Sequence, residues 1–289
     1  MKLRSSLMLL TTAILWGASF ILIKIGLEEI QPITLALLRF AIATPILMLM
    51  AYSVKGLRGL IKDWKGFLVL GLTGVTFYHV FQNIGLNLTS ASEASIIIAS
   101  NPIFIAILGH YYLKERLSPG KVLGIVLAFI GVSVIILRGG ITGFISNIPS
   151  ILGDLLCLAS VLCWAVYSVY GKKKLADRDA TEVTAFSFLF GTVFLVPLMI
   201  GSEGFALPSS AISWASVLIL SIFCSGLAYL LWYKALKEVS AYEAGTYLFF
   251  IPVVSVLLAS LILGEQIDLL FVVGAASVMA GVLITARRS

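Results

Sequence analysis

Ser90-Ala-Ser-Glu-Ala94 and Ser240-Ala-Tyr-Glu-Ala244 stand 150 residues apart, and each opens a long apolar run. The register between them holds downstream. Asn101-Pro102 is answered by Ile251-Pro252, Leu113-Lys-Glu115 by Leu263-Gly-Glu265, and Gly124 and Gly131 by Gly274 and Gly281. A fixed offset of this kind marks an internal duplication. In a strongly apolar chain it points to a membrane bundle built from two similar halves.

Composition agrees with that setting. The 289 residues are 60% hydrophobic and only 12% charged, with a mean hydropathy of +1.07. Soluble domains carry about 25% charged residues, so this chain could not cover a water-facing surface. The net charge of +6 is scattered through short gaps rather than gathered in a patch, which argues for membrane topology and against nucleic acid as a partner. Cys157, Cys163 and Cys224 all lie in apolar runs without paired spacing, so neither zinc nor a disulfide framework is expected. Lys2 and Arg4 precede an apolar run that continues through Leu27 without a small-residue cleavage site, as in an uncleaved first span.

Apolar stretches near the roughly 20 residues a helix needs to cross a bilayer fall at 7–27, 32–52, 66–86, 91–112 and 121–138. Five more fall at 151–170, 182–200, 211–233, 241–263 and 269–286. These lengths suit helices, which satisfy their own backbone groups in lipid, and exceed barrel strands. Alternate gaps, counted from the N-terminus, hold 17 of the 20 basic residues. The excess of Lys and Arg on one side places both termini in the cytoplasm of a multi-pass cell-membrane protein. Five spans per repeat is an odd number, so the second repeat enters upside down. The expected fold is an all-α integral membrane protein of ten transmembrane helices in two inverted five-helix repeats, residues 1–140 and 150–289. Such a repeat gives two halves of similar packing and opposite exposure, the geometry of alternating access; duplication retained for fold alone is the plainer alternative.

The motifs Trp16-Gly-Ala-Ser-Phe20, Leu38-Arg39-Phe40, Thr89-Ser-Ala-Ser-Glu-Ala94, Asn101-Pro102, Leu113-Lys-Glu-Arg-Leu117 and the Gly124/Gly131 pair resemble the EamA family of the drug/metabolite transporter superfamily. The resemblance runs over nearly the whole chain and both halves, departing at Gly264-Glu265-Gln266. It implies the same ten-helix fold, with a central cavity lined by spans one, three, four, six, eight and nine. It also implies movement of amino acids, metabolites, nucleobases or drugs, often outward.

Candidate site residues follow from polarity at depth. In span three Tyr78, Gln82 and Gly85 share one helical face, with His79 and Asn83 beside it. Polar groups here are costly against lipid, so the face should look inward, either as a solute-lining wall or as interhelical hydrogen bonding. His79 could exchange protons during transport, or stand neutral and hydrogen-bonded to a neighbouring helix. Span four offers Ser95 on a small-residue face and Pro102, which frees a carbonyl near residue 98; Pro102 and Pro252 form a matched pair of expected bends. Trp16, Trp164, Tyr167, Tyr229 and Tyr247 could wall a mostly apolar pocket, and Ser225 lies one turn before Tyr229 on the same face.

Arg39 lies about two turns from the outer end of span two, deep enough to need a partner or to snorkel; it could attract anionic groups entering from outside, as a gate, or serve only structural pairing. Glu93 and Glu243 open spans four and nine, either as gates or as first-turn carboxylates favoured by the helix dipole. Glu115 and Glu265 are expected to fix loops. The repeated glycines of spans five and ten mark a packing face, within the bundle or at a homodimer contact. The implied partners are a small organic solute, the lipid bilayer and possible protons; no cofactor or metal is expected.

A membrane enzyme would need a compact ionisable set, but the two histidines are separated and neither HExxH nor GxSxG occurs. No GxxxxGK[ST] loop is present, so ATP is not the direct energy source. The remaining alternatives are a nucleotide-sugar or phosphate-ester antiporter, which should carry several cavity-facing Lys or Arg, and a non-transporting scaffold or sensor.

Overall fold

The computed structural model describes residues 3–55, 63–113, 119–136, 148–239 and 241–286. Several residues read above lie outside them: Lys2, Arg58, Lys62, Lys114, Glu115, Arg116, Arg138, Arg287 and Arg288. The side chains of Lys55, Lys121 and Glu243 do so as well.

Among the described residues all regular structure is helical and forms ten rods. The first three are α1 (Leu3–Leu27), α2 (Pro32–Lys55) and α3 (Trp64–Leu88). Rod α4 is two helices, Ala91–Ile98 and Asn101–Leu113. Next come α5 (Pro119–Ile136), α6 (Ile148–Lys174), α7 (Ala180–Ser202) and α8 (Ala211–Glu238). Rod α9 runs through Ala241–Thr246, a tight turn at Tyr247–Phe249, then Phe250–Leu258 and Ala259–Leu263. The last rod, α10, is Leu269–Ala286. Within the described residues seven rods, α1–α4 and α6–α8, contain helix long and apolar enough to cross a membrane, and α5, α9 and α10 contribute shorter apolar helices. Leu49, Ile200 and Leu261 stand exposed on the outside of the bundle, as side chains bathed in lipid do.

The breaks fall where the prolines predict. Pro102 cannot donate to the carbonyl of residue 98, and the first helix of α4 ends at Ile98, its last turn closed by Ser100 donating to Ile97 O through both N–H (3.0 Å) and hydroxyl (2.6 Å). Pro252 leaves the carbonyl of Leu248 in the same position, inside the tight turn of α9.

Glycines set the closest rod contacts. A Cβ at Gly131 would sit 2.6 Å from Val278 N and 2.7 Å from Gly274 O; one at Gly281 would sit 2.5 Å from Gly124 O and Ala128 N. Gly131 thus meets Gly274 while Gly124 meets Gly281, pairs that exchange under the 150-residue offset. These glycines join α5 to α10 inside the chain, so the homodimer alternative for this face does not describe them.

Rods α3 and α8 each contain a widened stretch, Leu72–Phe77 and Leu220–Leu227, with hydrogen bonds to the fifth residue back. Wide turns leave carbonyls short of donors. Here Gly74 O accepts the Tyr229 hydroxyl at 3.1 Å, and Cys224 O accepts Trp16 Nε1–H at 2.9 Å. Positions 74 and 224 are again 150 apart, and each takes its donor from the other half of the chain.

At the end of the bundle away from residue 3, three glutamates cap helices that begin there. Glu203 accepts from Ile33 N and Thr34 N (both 2.9 Å), Glu265 from Ala91 N (2.8 Å) and Ser92 N (3.0 Å), and Glu29 from Ser209 N (2.7 Å) and Ser210 N (3.0 Å). Carboxylates suit helix N-termini because the first amides are free and carry the positive end of the dipole. The opposite end is tied by Lys172 on the carbonyls of Leu236 and Val239, and by the Lys174–Asp63 pair at 2.6 Å.

Candidate functional site

A cavity opens where α1, α2, α3, α4, α6, α8 and α9 converge. Its polar and aromatic wall comprises Trp16, Arg39, Tyr78, His79, Gln82, Trp164 and Tyr229. Its open volume is only about 20 Å³, far less than an amino acid fills, so rods must part to admit one. No Asp or Glu lines it among the described residues.

Aromatic rings build one side. Trp16 and Trp164 meet edge to face at 4.9 Å, and Tyr229 packs against both, at 5.5 and 5.4 Å. The wall carries the register of the duplication: Ile98 and Leu248 are 150 apart, as are Asn101 and Ile251, and all four line the cavity. His79 and Tyr229, also 150 apart, touch through Nε2 and the phenol oxygen at 2.8 Å. The histidine tautomer follows the single Tyr229 proton. With that proton on Gly74 O, which can only accept, a neutral His79 carries its own on Nε2 and donates to Tyr229. Its Nδ1 is left a bare acceptor, with no partner among the described residues.

Arg39 supplies the charge. It is 2% exposed; its Nε–H donates to Ser225 Oγ, and its guanidinium lies 5.6 Å from the Phe40 ring centre. One terminal nitrogen has no hydrogen-bond partner. The titratable side chains near enough to feel its charge are Tyr78, Tyr229, Cys224 and His79, none an anion at neutral pH. Arg39 therefore does not snorkel to water: it points into the cavity.

Other expected residues lie behind the wall or beyond it. Asn83 turns away, donating to Pro32 O at 3.0 Å, and Gly85 packs on Gly153 and Cys157. Ser95 bonds back to Ser92 O at 2.8 Å, as small hydroxyls do inside helices. Tyr167 forms a second layer, 5.2 Å from Trp164 and pressed on Gly74, and Ser225 acts through Arg39. Tyr247 sits in the tight turn of α9, 6.5 Å from Phe250, outside the lining. Glu93 closes a capping box with Ser90 and accepts the Thr89 hydroxyl at 2.9 Å; that hydroxyl also reaches Asp154 at 2.7 Å. Pro102 and Pro252 flank the cavity through Asn101 and Ile251. Ser19, Asn101, Leu248 and Ile251 were not among the expected site residues. Asn101 was visible beside Pro102, and its partner at position 251 follows from the repeat.

The family model for the EamA-like transporter family matches residues 3–137 and again 151–287. This chain belongs to that family. An uncharacterized transporter of Archaeoglobus fulgidus is 36% identical over 291 residues, covering 100% of this chain and 99% of that protein. A probable terminal-alkyne amino-acid exporter of Streptantibioticus cattleyicolor is 30% identical, covering 97% and 93%. One solved crystal structure superposes with a TM-score of 0.72 at 23% identity, over 98% of this chain and 96% of that one, a likeness of fold alone. The protein is thus a multi-pass membrane transporter of the EamA type, and these relatives are named as transporters rather than enzymes.

Proposed function

We propose that this EamA-type protein is a secondary transporter that exports a small organic solute, an amino acid or related metabolite, across the cytoplasmic membrane. In this reading the ten rods are ten spans in two inverted repeats, residues 1–140 and 150–289, with both termini cytoplasmic. The observation that carries it is the contact between His79 and Tyr229 in the cavity wall. Equivalent residues of two related units touch where the pseudo-twofold axis passes, so the solute site lies on the axis about which the halves exchange roles. The exchanged glycine contacts of α5 and α10, the capped carbonyls of Gly74 and Cys224, and the family model's two matches support the same symmetry.

Rods α4 and α9, broken at 99–100 and 247–249, are the movable walls, and Pro102 and Pro252 set their bends. Opening toward the cytoplasm parts the wall near Lys172. Opening outward releases the glutamate caps at Ile33, Ala91 and Ser209. Glu93 serves the helix end rather than a gate. The exporter relative supports an amino-acid class of substrate, and a single cavity cation among the described residues favours it over a phosphate ester. Counterflow in proteoliposomes against amino acids, nucleobases and cationic drugs, with and without a proton gradient, tests the reading. Uptake of amino acids is expected; folded protein that moves none of the panel would refute it. Insensitivity to the gradient would remove the proton role from His79.

A further inference from the structure

Among the described residues the cavity wall holds five buried polar atoms without a hydrogen-bond partner: Arg39 Nη1, Trp164 Nε1, His79 Nδ1, Gln82 Oε1 and Asn101 Oδ1. Buried polar groups are almost always paired, and each exception asks for a reason. Five exceptions around one cavity share one reason if a ligand pairs them. The two chemistries are distinct. Arg39 and Trp164 can only donate, and the guanidinium brings a positive charge that no described carboxylate answers. His79 Nδ1 is an acceptor by the proton accounting above, and Gln82 and Asn101 present carbonyl oxygens.

We propose that the cavity is a zwitterion site. Arg39 and the Trp164 N–H take the carboxylate of an α-amino acid, and His79 Nδ1 with the amide oxygens of Gln82 and Asn101 takes its ammonium group. This deepens the transport reading and rests on it. The lining around these groups is Phe20, Tyr78, Ile98, Leu248 and Ile251, so the amino-acid side chain is uncharged and apolar or aromatic. A solute with net positive charge meets Arg39 without an anion to offset it. A phosphate ester carries nearly two charges to a wall with one cation, and leaves the three acceptors unpaired. An amino acid satisfies both sets with no net charge brought in, which suits a site with little water.

Binding to the protein in nanodiscs, read by tryptophan fluorescence, separates these possibilities with matched probes. L-leucine is compared with L-leucinamide, L-phenylalanine with L-phenylalaninamide, and L-leucine with 4-methylpentanoate, which lacks the ammonium. Each amino acid should bind at least tenfold tighter than its amide, and L-leucine tighter than 4-methylpentanoate. Arg39→Gln should close the acid–amide gap while Arg39→Lys keeps part of it. Amides binding as tightly as the acids, a gap that persists in Arg39→Gln, or no saturable binding of either amino acid would overturn the proposal. If Arg39→Gln does not fold, the wild-type comparison decides alone. Acid-selective binding without counterflow would refute transport and leave the site standing; counterflow without acid preference would do the reverse.

Discussion

Tyr229→Phe removes one oxygen and keeps the ring that packs on Trp16, Trp164 and Phe188. That oxygen holds two bonds, to His79 Nε2 at 2.8 Å and to Gly74 O at 3.1 Å. Without it, Gly74 O in the wide turn of α3 loses the donor that caps it, and His79 loses its Nε2 partner while Nδ1 already lacks one. A buried group left unpaired costs about 1–3 kcal/mol, but polar contacts between membrane helices average nearer ~0.6 kcal/mol. Two such contacts put the loss at about 1–2 kcal/mol, or roughly 2–8 °C of thermal midpoint. Cys157 and Cys224 are buried and Cys163 is partly so, so a fluorogenic maleimide that labels thiols on unfolding reports the midpoint. In a His79→Leu background only the Gly74 bond remains to be lost, and the same substitution should cost about half as much. An unchanged midpoint for Tyr229→Phe, or an equal fall in both backgrounds, would refute the reasoning.

Three further outcomes are expected. Gly131→Leu forces a side chain against backbone atoms of α10 at 2.6 and 2.7 Å and should cost about 1–3 kcal/mol in the same assay; Gly201→Leu, with nothing within 4 Å, should not. Glu203→Ala strips the acceptor from Ile33 N and Thr34 N, destabilising the start of α2 by about 0.5–2 kcal/mol and speeding hydrogen exchange there. Glu29, in the loop after α1, has its carboxyl held down at about 2 by hydrogen bonds from Ser210 and then Ser209. A depressed folded value means this clasp is complete above the ordinary carboxylate range and lost as pH falls through about 2. Amide protection at Ser209 and Ser210 should therefore persist at pH 4, whereas Glu29→Ala, which removes the acceptor, should lose it at pH 7.

The duplication was legible because a 150-residue offset preserves Pro, Gly and Glu, residues whose backbone or capping roles leave few substitutes. Pro102 and Pro252 told where α4 and α9 break for that reason. The wide turns at 72–77 and 220–227 were not legible: neither stretch holds a proline or a charge, and only the donors on Tyr229 and Trp16, far away in sequence, explain them. Polarity at depth put Tyr78, His79 and Gln82 on an inward face, since lipid excludes such groups from the outside, and all three line the cavity. It placed Asn83 beside them as well, but one residue along a helix turns a side chain by about 100°, and Asn83 serves α2 instead. Arg39 looked like a charge near an entrance because depth along a span says nothing of the direction a side chain takes. Its aim into the cavity depends on Ser225, 186 residues on.

The central claim is that the solute passes through the cavity between the halves, and filling that cavity tests it most directly. Ser19 lines it and is 3% exposed, so Ser19→Phe places a ring in the narrow space. Counterflow of L-leucine and L-phenylalanine into proteoliposomes should be saturable with the wild-type protein and abolished by Ser19→Phe, in a variant whose thiol-labelling midpoint shows it folded. Equal flux through the filled variant would contradict the account.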